Sequence, residues 1–291
     1  HEKSPRRFYG GAIGALAFDG SLNTGLILRT IHLADGVARV RAGATLHFDS
    51  DAAAEESESE LKASALFAVL DSLDIDAPAA PPPSAAGRIA ARDRLPVLLI
   101  DHRDSFVHTL GDYFRQAGCE VSTLRHGFDP REYDRLRPRL VVLSPGPARP
   151  DSFDMRTTLA ELARRALPVF GVCLGLQGMV EFCGGRLAQL ETPMHGKAST
   201  LRIAQAHPIF DGLPRAFQVG RYHSLYADPA TFPSSELTPL AHAPDDTLMA
   251  IAPRTRPWSA VQFHPESILS ADGAHGLRLI ANVVRFARDR S

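Results

Sequence analysis

A cysteine flanked by two glycines, placed directly after a short apolar run, constrains the fold of this chain more than any other feature. Residues 167–177 read LPVFGVCLGLQ, and Pro168–Val172 has the apolar character of a buried strand. A strand that passes straight into a helix must turn sharply at Cys173, and Gly171 and Gly175 lack the side chains that would clash in such a turn. The stretch therefore predicts a nucleophile elbow, with cysteine where hydrolases carry serine.

A second motif offers a general base and a carboxylate that could orient it. Residues 261–267 read VQFHPES, and in an extended segment His264 and Glu266 point to the same side. A cysteine alone in an apolar context is usually an inert core residue. At the N-terminus of a helix, however, the dipole favours a negatively charged thiolate. We therefore predict that Cys173, His264 and Glu266 form a nucleophilic triad.

Composition and charge narrow the class of protein. The 291 residues carry a net charge of −1, so electrostatics give no reason to expect nucleic acid or a membrane as a partner. The sequence has no apolar run long enough to span a bilayer and no signal peptide, and we predict a cytoplasmic protein. Its three cysteines have spacings unlike a disulfide framework or a zinc site, and Cys119 and Cys183 are predicted to be packing residues. Because the chain begins at His1 within a structured-looking pattern, we interpret it as a fragment of a longer polypeptide.

A proline- and alanine-rich stretch divides the chain. Residues 77–94 cannot form a core element and are predicted to be a semi-rigid linker between residues 1–76 and residues 95–291. In the first segment, we predict strands at 26–28 and 37–41, joined through a turn at residues 34–36. A helix capped by Asp49 or Ser50 should follow and continue to Leu73.

After the linker, strands alternate with helices, which predicts an α/β fold: an open, mostly parallel twisted sheet flanked by helices on both faces. In such sheets, sites form beyond the carboxyl ends of the strands, so Ser144–Gly146, Cys173 and His264 could share one cleft. From about Thr200 to Pro253 the pattern is more antiparallel. The predicted strands are 96–101, 120–124, 140–143 and 168–172, and the predicted helices are 104–117 and 155–166.

Three motifs that occur in the order LSPGP (residues 143–147), GVCLGLQ and FHPES resemble the class I glutamine amidotransferases over about residues 95–291. The motifs His195-Gly196-Lys197 and Tyr222-His223-Ser224-Leu225 are similar, more narrowly, to the amidotransferase partners of anthranilate and aminodeoxychorismate synthases. The resemblance implies a flavodoxin-like fold, the Cys173–His264–Glu266 triad, and no cofactor for this domain. It also implies that His195 lies at a partner interface.

The predicted site includes groups that would hold glutamine and its oxyanion. The tetrahedral intermediate needs two amide donors, and the backbones of Leu174 and Gly146 are the candidates. The resemblance further implies that glutamine is bound by the side chain of Gln177 and the backbone of Ser224 and Leu225. For Gln177 the alternative is a solvent-facing position on the helix.

One position departs from the family pattern. The family usually has Pro-Gly-Pro-Gly in this loop, whereas here Pro147 is followed by Ala148. If that position needs a positive φ angle, alanine is strained there.

Residues 4–73 resemble the C-terminal end of the chorismate-utilising synthases, through FYGGAIG, LRT and RAGAT. The resemblance implies that Tyr9, Arg29 and Gly43 contact chorismate, with Arg29 holding a carboxylate. It also implies that Glu58 helps to bind Mg²⁺, which prefers oxygen ligands. Because most of that synthase domain is missing, we predict that these residues are present but not assembled into a site, and that apolar faces are left exposed.

The order of the two segments, synthase first and amidotransferase second, resembles that of the fused anthranilate synthases. Such an enzyme supplies ammonia from glutamine for the conversion of chorismate to anthranilate and pyruvate in tryptophan biosynthesis. The alternatives are the amidotransferase of an aminodeoxyisochorismate (phenazine) or aminodeoxychorismate (folate) synthase, a free glutaminase, and a catalytically silent binding module. The expected partners are glutamine, chorismate through the synthase domain, and further copies of the full-length chain in a homo-oligomer.

Overall fold

The computed structural model describes residues 5–16, 22–44, 48, 50–71 and 94–290. The chain forms two compact units, residues 1–86 and 87–291. Apart from residue 94, the predicted linker lies outside the described residues, so the boundaries at 76 and 95 stay a prediction. Among the helices that the structure describes, none is both long and apolar enough to cross a bilayer.

The first unit contains two antiparallel hairpins and one helix. The turn predicted at residues 34–36 joins the second hairpin, and Asp35 and Gly36 have the positive φ angles (53° and 73°) that a tight two-residue turn requires. The predicted strand 26–28 is wrong as the partner of 37–41, because a two-residue turn pairs the residues that flank it. The elements of the first unit are β1 (Ala12–Leu16), β2 (Leu22–Leu26), β3 (Ile31–Ala34), β4 (Val37–Val40) and α1 (Ala52–Asp71).

The start of α1 differs from the predicted cap. The carboxylate of Asp51 accepts a hydrogen bond from the backbone N–H of Ala54 at 2.8 Å, so Asp51 satisfies one of the free amides of the first turn. The hydroxyl of Ser50 instead donates to Glu55 Oε1 at 2.8 Å. Asp49 lies outside the described residues.

The second unit is built on one nine-stranded sheet in the order β10-β9-β11-β12-β13-β8-β7-β5-β6. The strands from β13 to β6 are parallel, whereas β10, β9, β11 and β12 form an antiparallel extension. The α/β fold is confirmed, and the sheet is mixed. The strands are β5 (Leu95–Asp101), β6 (Cys119–Arg125), β7 (Leu140–Leu143), β8 (Val169–Val172), β9 (Leu187–Ile203), β10 (Ala216–Ala227), β11 (Leu237–His242), β12 (Leu248–Pro253) and β13 (Trp258–Val261).

Helices cover both faces of the parallel half. Alternate residues of a strand point to opposite faces, so Val97 and Leu99 of β5 join one buried cluster, and Leu98 and Ile100 join the other. The first cluster packs against α2 and α6, and the second packs against α3, α4 and α5. These helices are α2 (Val107–Gln116), α3 (Arg131–Leu136), α4 (Met155–Arg164), α5 (Leu174–Phe182) and α6 (His275–Arg288).

The predicted helix start at Asp104 is wrong, and the difference matters for the site. The carboxylate of Asp104 accepts from the backbone N–H of Phe106 at 2.8 Å, which closes a turn before the helix rather than capping it. Helix α2 therefore begins at Val107, and Phe106 is left in the connection that follows the carboxyl end of β5. The predicted helix 155–166 is also shorter in the structure. Helix α4 ends at Arg164 because Ala166 adopts a left-handed conformation (φ 53°).

Candidate active site

The sharp turn between β8 and α5 holds Cys173 in an uncommon backbone conformation, with φ 51° and ψ −96°. A Cβ on Gly171 would lie 2.7 Å from the backbone carbon of Gly175, and a Cβ on Gly175 would lie 2.9 Å from Leu143 Cβ. Only glycine permits this approach of strand and helix. The N–H of Cys173 donates to the carbonyl of Val261 at 2.7 Å, which ties the turn to β13.

His264 and Glu266 meet through a turn rather than through an extended strand. Strand β13 ends at Val261, so the extended geometry predicted for this motif is wrong. The turn nevertheless brings His264 Nδ1 to 2.9 Å from Glu266 Oε1. The backbone of His264 is fixed on both sides: its N–H donates to Gly220 at 3.0 Å, and its carbonyl accepts from Ser270 Oγ at 2.6 Å.

The electrostatics of this pair favour a charged imidazole. Burial alone would lower the pKa of His264, but the Glu266 carboxylate and the neighbouring Cys173 thiol raise it well above its usual value. Because Nδ1 is engaged by Glu266, the other ring nitrogen is the one that remains for the thiol or a substrate. Among the described residues, His264 Nε2 has no hydrogen-bond partner, although it is buried.

Two aromatic rings enclose the imidazole. The ring centroids of Phe106 and Tyr222 lie 4.9 Å and 5.0 Å from that of His264. The Tyr222 hydroxyl is 3.0 Å from Ser267 Oγ, which fixes the tilt of the ring. On its other side, Tyr222 contacts the exposed ring of His195 at 5.6 Å. Phe106 carries no motif in the sequence, and only the position where α2 begins places it here.

The loop after β7 carries Gly146, one of the two predicted amide donors. A Cβ at Gly146 would lie 2.6 Å from Leu174 Cδ2 and 2.9 Å from the carbonyl of His102, so this backbone packs directly against the start of α5. The loop is fastened by Ser144, whose hydroxyl accepts from the N–H of His102 at 2.9 Å. Leu174 is the first residue of its helix, where an N–H has no acceptor within the helix.

Two further observations concern this loop. Ala148 has φ +77°, the conformation in which the departure from the family's glycine is strained. His102 is fully buried beneath the loop, and burial together with His126 lowers its pKa to about 4, so the ring is neutral. No motif in the sequence surrounds His102, and its backbone N–H supports the loop through Ser144.

The residues predicted to hold glutamine converge on the same place. Gln177 is 3 % exposed, so the solvent-facing alternative is wrong, and its Nε2 donates to the carbonyl of Leu225 at 3.0 Å. Along β10, the pairing with β9 passes from His223–Met194 directly to Leu225–Gln189. Among the described strand pairs, Ser224 thus has no paired residue in β9.

Gln262 is a site residue that the sequence analysis did not single out. Its side chain is fully buried, and Nε2 donates to Cys173 Sγ at 3.4 Å. Its Oε1 accepts from Gln177 Nε2, also at 3.4 Å. The available signal was its place just before the FHPES motif, two residues before His264, where a polar side chain follows a buried strand.

The other two cysteines behave as packing residues. Cys119 is buried, and burial raises the pKa of its thiol to about 12. Burial also raises the pKa of Cys183, which packs against the cluster beneath α4 and α5. Both therefore stay neutral thiols near pH 7.

In the first unit, the residues assigned to chorismate are only partly brought together. The Tyr9 hydroxyl would be 3.3 Å from a Cβ on Gly43, and Tyr9 borders a cleft of about 540 Å³ lined also by four arginines, Arg6, Arg7, Arg39 and Arg41. Arg29 is exposed and is not among the lining residues of that cleft.

The described residues do not fit a magnesium site. The carboxylate of Glu58 forms an ion pair with Lys62 at 2.8 Å on the surface of α1. No group of three or more His, Cys, Asp or Glu side chains suited to a metal ion occurs in the described part of the chain. No chemical step is therefore assigned to a metal.

Comparisons with known proteins follow this division of the chain. Residues 98–283 match the family described as glutamine amidotransferase class-I, and residues 1–68 match the chorismate binding enzymes. The chain belongs to the class-I glutamine amidotransferase family. Both resemblances derived from the motifs are thereby confirmed, and so is the prediction of an enzyme.

Several curated relatives share this family. An anthranilate synthase of Azospirillum brasilense is 53 % identical over 97 % of the chain, which spans only 38 % of that relative's length. Anthranilate synthase component 2 of the same organism is 37 % identical over 66 % of the chain and 96 % of the relative. The aminodeoxychorismate/anthranilate synthase component 2 of Bacillus subtilis (strain 168) is 36 % identical over 62 % of the chain and 93 % of the relative.

The fold also resembles solved structures. A Thermoplasma acidophilum protein named for GMP synthase superposes with a TM-score of 0.60 at 21 % identity, covering 67 % of this chain and 95 % of that one. A glutamine amidotransferase from Thermotoga maritima superposes with a TM-score of 0.52 at 15 % identity, covering 68 % of this chain and 97 % of that one. At these identities the likeness concerns the fold alone.

Proposed function

We propose that this chain hydrolyses glutamine to glutamate and ammonia, as the amidotransferase part of an anthranilate synthase. The observation that carries the proposal is that the turn after β8 and the turn after β13 bring together a buried thiol, Cys173, and a histidine whose pKa is raised by Glu266. A silent binding module would not need a strained cysteine, a charged imidazole and a buried carboxylate in contact.

The chemistry begins from the ion pair in which the Cys173 proton has already passed to His264, so that a thiolate lies beside an imidazolium. The thiolate attacks the carboxamide carbon of glutamine, and the carbonyl oxygen becomes an oxyanion. The imidazolium protonates the leaving nitrogen, the carbon–nitrogen bond breaks, and ammonia departs from a thioester. Water, deprotonated by His264, then attacks the thioester carbon, so that glutamate leaves and the thiol is restored. Glu266 orients the imidazole and stabilises its charge throughout.

The oxyanion is stabilised by backbone amides in this scheme. Leu174 donates from the free N–H at the start of α5, and Gly146 donates from the loop that packs against it. Gln262 contributes an amide N–H to the sulfur, which stabilises the thiolate before attack. Gln177, Ser224 and Leu225 bind the glutamine.

In the whole protein, we propose that the ammonia passes to a synthase domain and aminates chorismate, which loses pyruvate to give anthranilate. This step rests on the names of the relatives and on the match of residues 1–68 to chorismate binding enzymes. Tyr9, Arg29 and Gly43 would contact chorismate, and Glu58 would contact Mg²⁺, only within that larger domain. A cytoplasmic location and a homo-oligomer belong to the same proposal.

A second candidate product is aminodeoxychorismate, because the Bacillus subtilis relative is named for both reactions. Because the synthase domain decides the product, the two are distinguished by which domain this chain serves: an anthranilate synthase domain and an aminodeoxychorismate synthase domain are supplied separately, with chorismate and glutamine. Glutamine-dependent product formation with the first domain alone supports the first proposal, and with the second alone supports the second.

The direct test is glutamate release from glutamine, measured with and without a separately supplied synthase domain. We expect release by the wild-type chain and none by Cys173→Ala. Cys183→Ala, a matched loss of a cysteine at the other end of the same helix, should behave like the wild type. If the wild type releases no glutamate even with the synthase domain, the hydrolase proposal is wrong and a binding module is the better interpretation.

A further inference from the structure

A buried arginine lies next to the candidate glutamine site and takes no part in the mechanism above. Arg221 in β10 is 1 % exposed, and its guanidinium is divided among three partners. Nη1 donates to Asp245 Oδ2 at 2.9 Å, Nη2 donates to Thr247 Oγ1 at 3.1 Å, and Nε donates to His223 Nε2 at 3.2 Å. A charge so fully removed from water is costly unless its donors are satisfied, and here each of these three nitrogens has an acceptor.

Contact with Arg221 fixes the proton of His223. A guanidinium has only donors and keeps its charge in proteins, so the ring nitrogen that faces it must be an acceptor. The hydrogen of the neutral imidazole therefore resides on Nδ1, which donates to the carbonyl of Leu225 at 2.9 Å. Burial, reinforced by the charge of Arg221, lowers the pKa of His223 to about 4, so the ring stays neutral near pH 7.

The carbonyl of Leu225 is thus held from two sides. His223 Nδ1 donates to it from within β10, and Gln177 Nε2 donates to it from α5. Ser224 lies between His223 and Leu225 in the sequence, and it is the residue that has no partner in β9. Gln177 also contacts Gln262, which donates to the nucleophilic sulfur, so the network joins the strand that would bind substrate to the thiol.

We propose that His223 is a positioning residue of the glutamine subsite: as the Nδ1–H tautomer fixed by Arg221, it holds the Ser224–Leu225 backbone in the orientation that binds glutamine. This inference rests on the proposed function. It assigns His223 no contact with the reacting atoms. Loss of the Nδ1 donor should weaken recognition of glutamine while leaving the reactivity of the thiol intact.

The test uses two reagents on the intact chain. A diazoketone analogue of glutamine alkylates a nucleophilic cysteine after binding, so its concentration dependence separates the half-saturation constant from the maximal labelling rate. Iodoacetamide, which needs no glutamine subsite, reports the reactivity of the thiol. Labelling of Cys173 is followed by mass spectrometry in the wild type and in His223→Leu, His223→Asn and His207→Leu.

We expect His223→Leu to raise the half-saturation constant for the analogue about tenfold, as for loss of one buried hydrogen bond, with little change in labelling by iodoacetamide. In His223→Asn, an amide N–H can take the place of Nδ1–H, so most of the affinity should return. His207→Leu is the matched control, since burial also lowers the pKa of His207 to about 4 but its ring packs against Phe286 on α6. It should bind the analogue like the wild type.

Each other outcome has a defined meaning. An unchanged half-saturation constant in His223→Leu, or an Asn variant as weak as the Leu variant, would overturn the role of His223 and leave the proposed function standing. If His223→Leu lost labelling by iodoacetamide as much as labelling by the glutamine analogue, the role of His223 would also be overturned, since the residue would then act on the thiol or on folding. A wild type that neither reacts with the analogue nor releases glutamate would overturn both proposals.

Discussion

At the scale of single residues, the site is organised around the two nitrogens of one buried ring. Nδ1 of His264 is engaged by Glu266, and Nε2 is left for chemistry. Burial disfavours the imidazolium, so the raised pKa depends on the carboxylate that faces it. The ring is therefore as dependent on Glu266 for its charge as for its orientation.

Replacing Glu266 by glutamine keeps the shape of the side chain but removes its charge. We expect glutaminase kcat/KM to fall by about two to four orders of magnitude, the usual contribution of general acid–base catalysis. A group with a raised pKa is protonated below that pKa and loses its proton as the pH rises through it. Without the Glu266 carboxylate the pKa of His264 falls. The alkaline limb of the pH profile should therefore move to lower pH in Glu266→Gln. Glu132→Gln, which removes a surface carboxylate paired with Arg135, should leave both the rate and the limb unchanged.

The hydrogen bond from Gln262 to sulfur leads to a second prediction. In Gln262→Leu the thiolate loses a donor in a buried site, and we expect Cys173 to react with iodoacetamide about tenfold more slowly at pH 7. Gln218→Leu on the exposed side of β10 is the control and should react at the wild-type rate. Equal rates in the wild type and Gln262→Leu would mean that the 3.4 Å contact does not stabilise the thiolate.

At the scale of elements, local sequence patterns predicted strands and turns correctly where neighbouring residues decide the structure. The strand 140–143 and the turn at Cys173 depend on apolar runs and on glycines that admit close contact. Pairings over longer distances could not be predicted from such patterns. The contact of Gln262 with Cys173 arises because β13 lies beside β8, and the break in the ladder at Ser224 arises from the register of β9 and β10. The prediction of a helix start at Asp104 also failed, because this aspartate closes a turn before the helix instead of capping it.

The connection after β7 offers a stability prediction. Because Ala148 has φ +77°, where residues with a Cβ are strained, Ala148→Gly should raise the free energy of unfolding by about 0.5–1 kcal/mol after allowance for the greater entropy of the unfolded chain. The same substitution at Ala160, an exposed position within α4, should lower it by about 1 kcal/mol. Denaturant titrations of the two variants should shift in opposite directions; a shift of the same sign would show that the Ala148 backbone is not strained.

At the scale of the whole molecule, the two units differ in how well they bury their apolar residues. The second unit has a cluster of buried apolar side chains on each face of its sheet. In contrast, Ile13, Leu33 and Leu61 in the first unit are each about 70 % exposed, at 69 %, 72 % and 72 %. Where such side chains form one contiguous patch, they mark a place where other protein surface packs. The synthase domain proposed above would supply such a surface.

A binding measurement checks this contrast. The double variant Leu33→Thr, Leu61→Gln should bind an apolar dye such as 8-anilinonaphthalene-1-sulfonate less strongly and associate less in light scattering, because it removes two exposed leucines from the first unit. Its second unit should keep the wild-type rate of Cys173 labelling. Ile268→Thr, which removes the exposed isoleucine of the second unit, is the control and should change dye binding less. Equal dye binding in the wild type and the double variant would contradict the prediction.

The place of β13 in the sheet has a consequence for how this protein matures during translation. Strand β8 leads into the turn at Cys173, but its neighbour β13 is synthesised last among the described strands, and Gln262 and His264 follow β13 directly. A nascent chain that has emerged only as far as β12 therefore leaves one side of β8 without its partner, a state that invites association with other chains. It also has a thiol with neither Gln262 nor His264 beside it. Under the proposed function, we expect the growing polypeptide to be inactive toward glutamine until β13 has paired with β8.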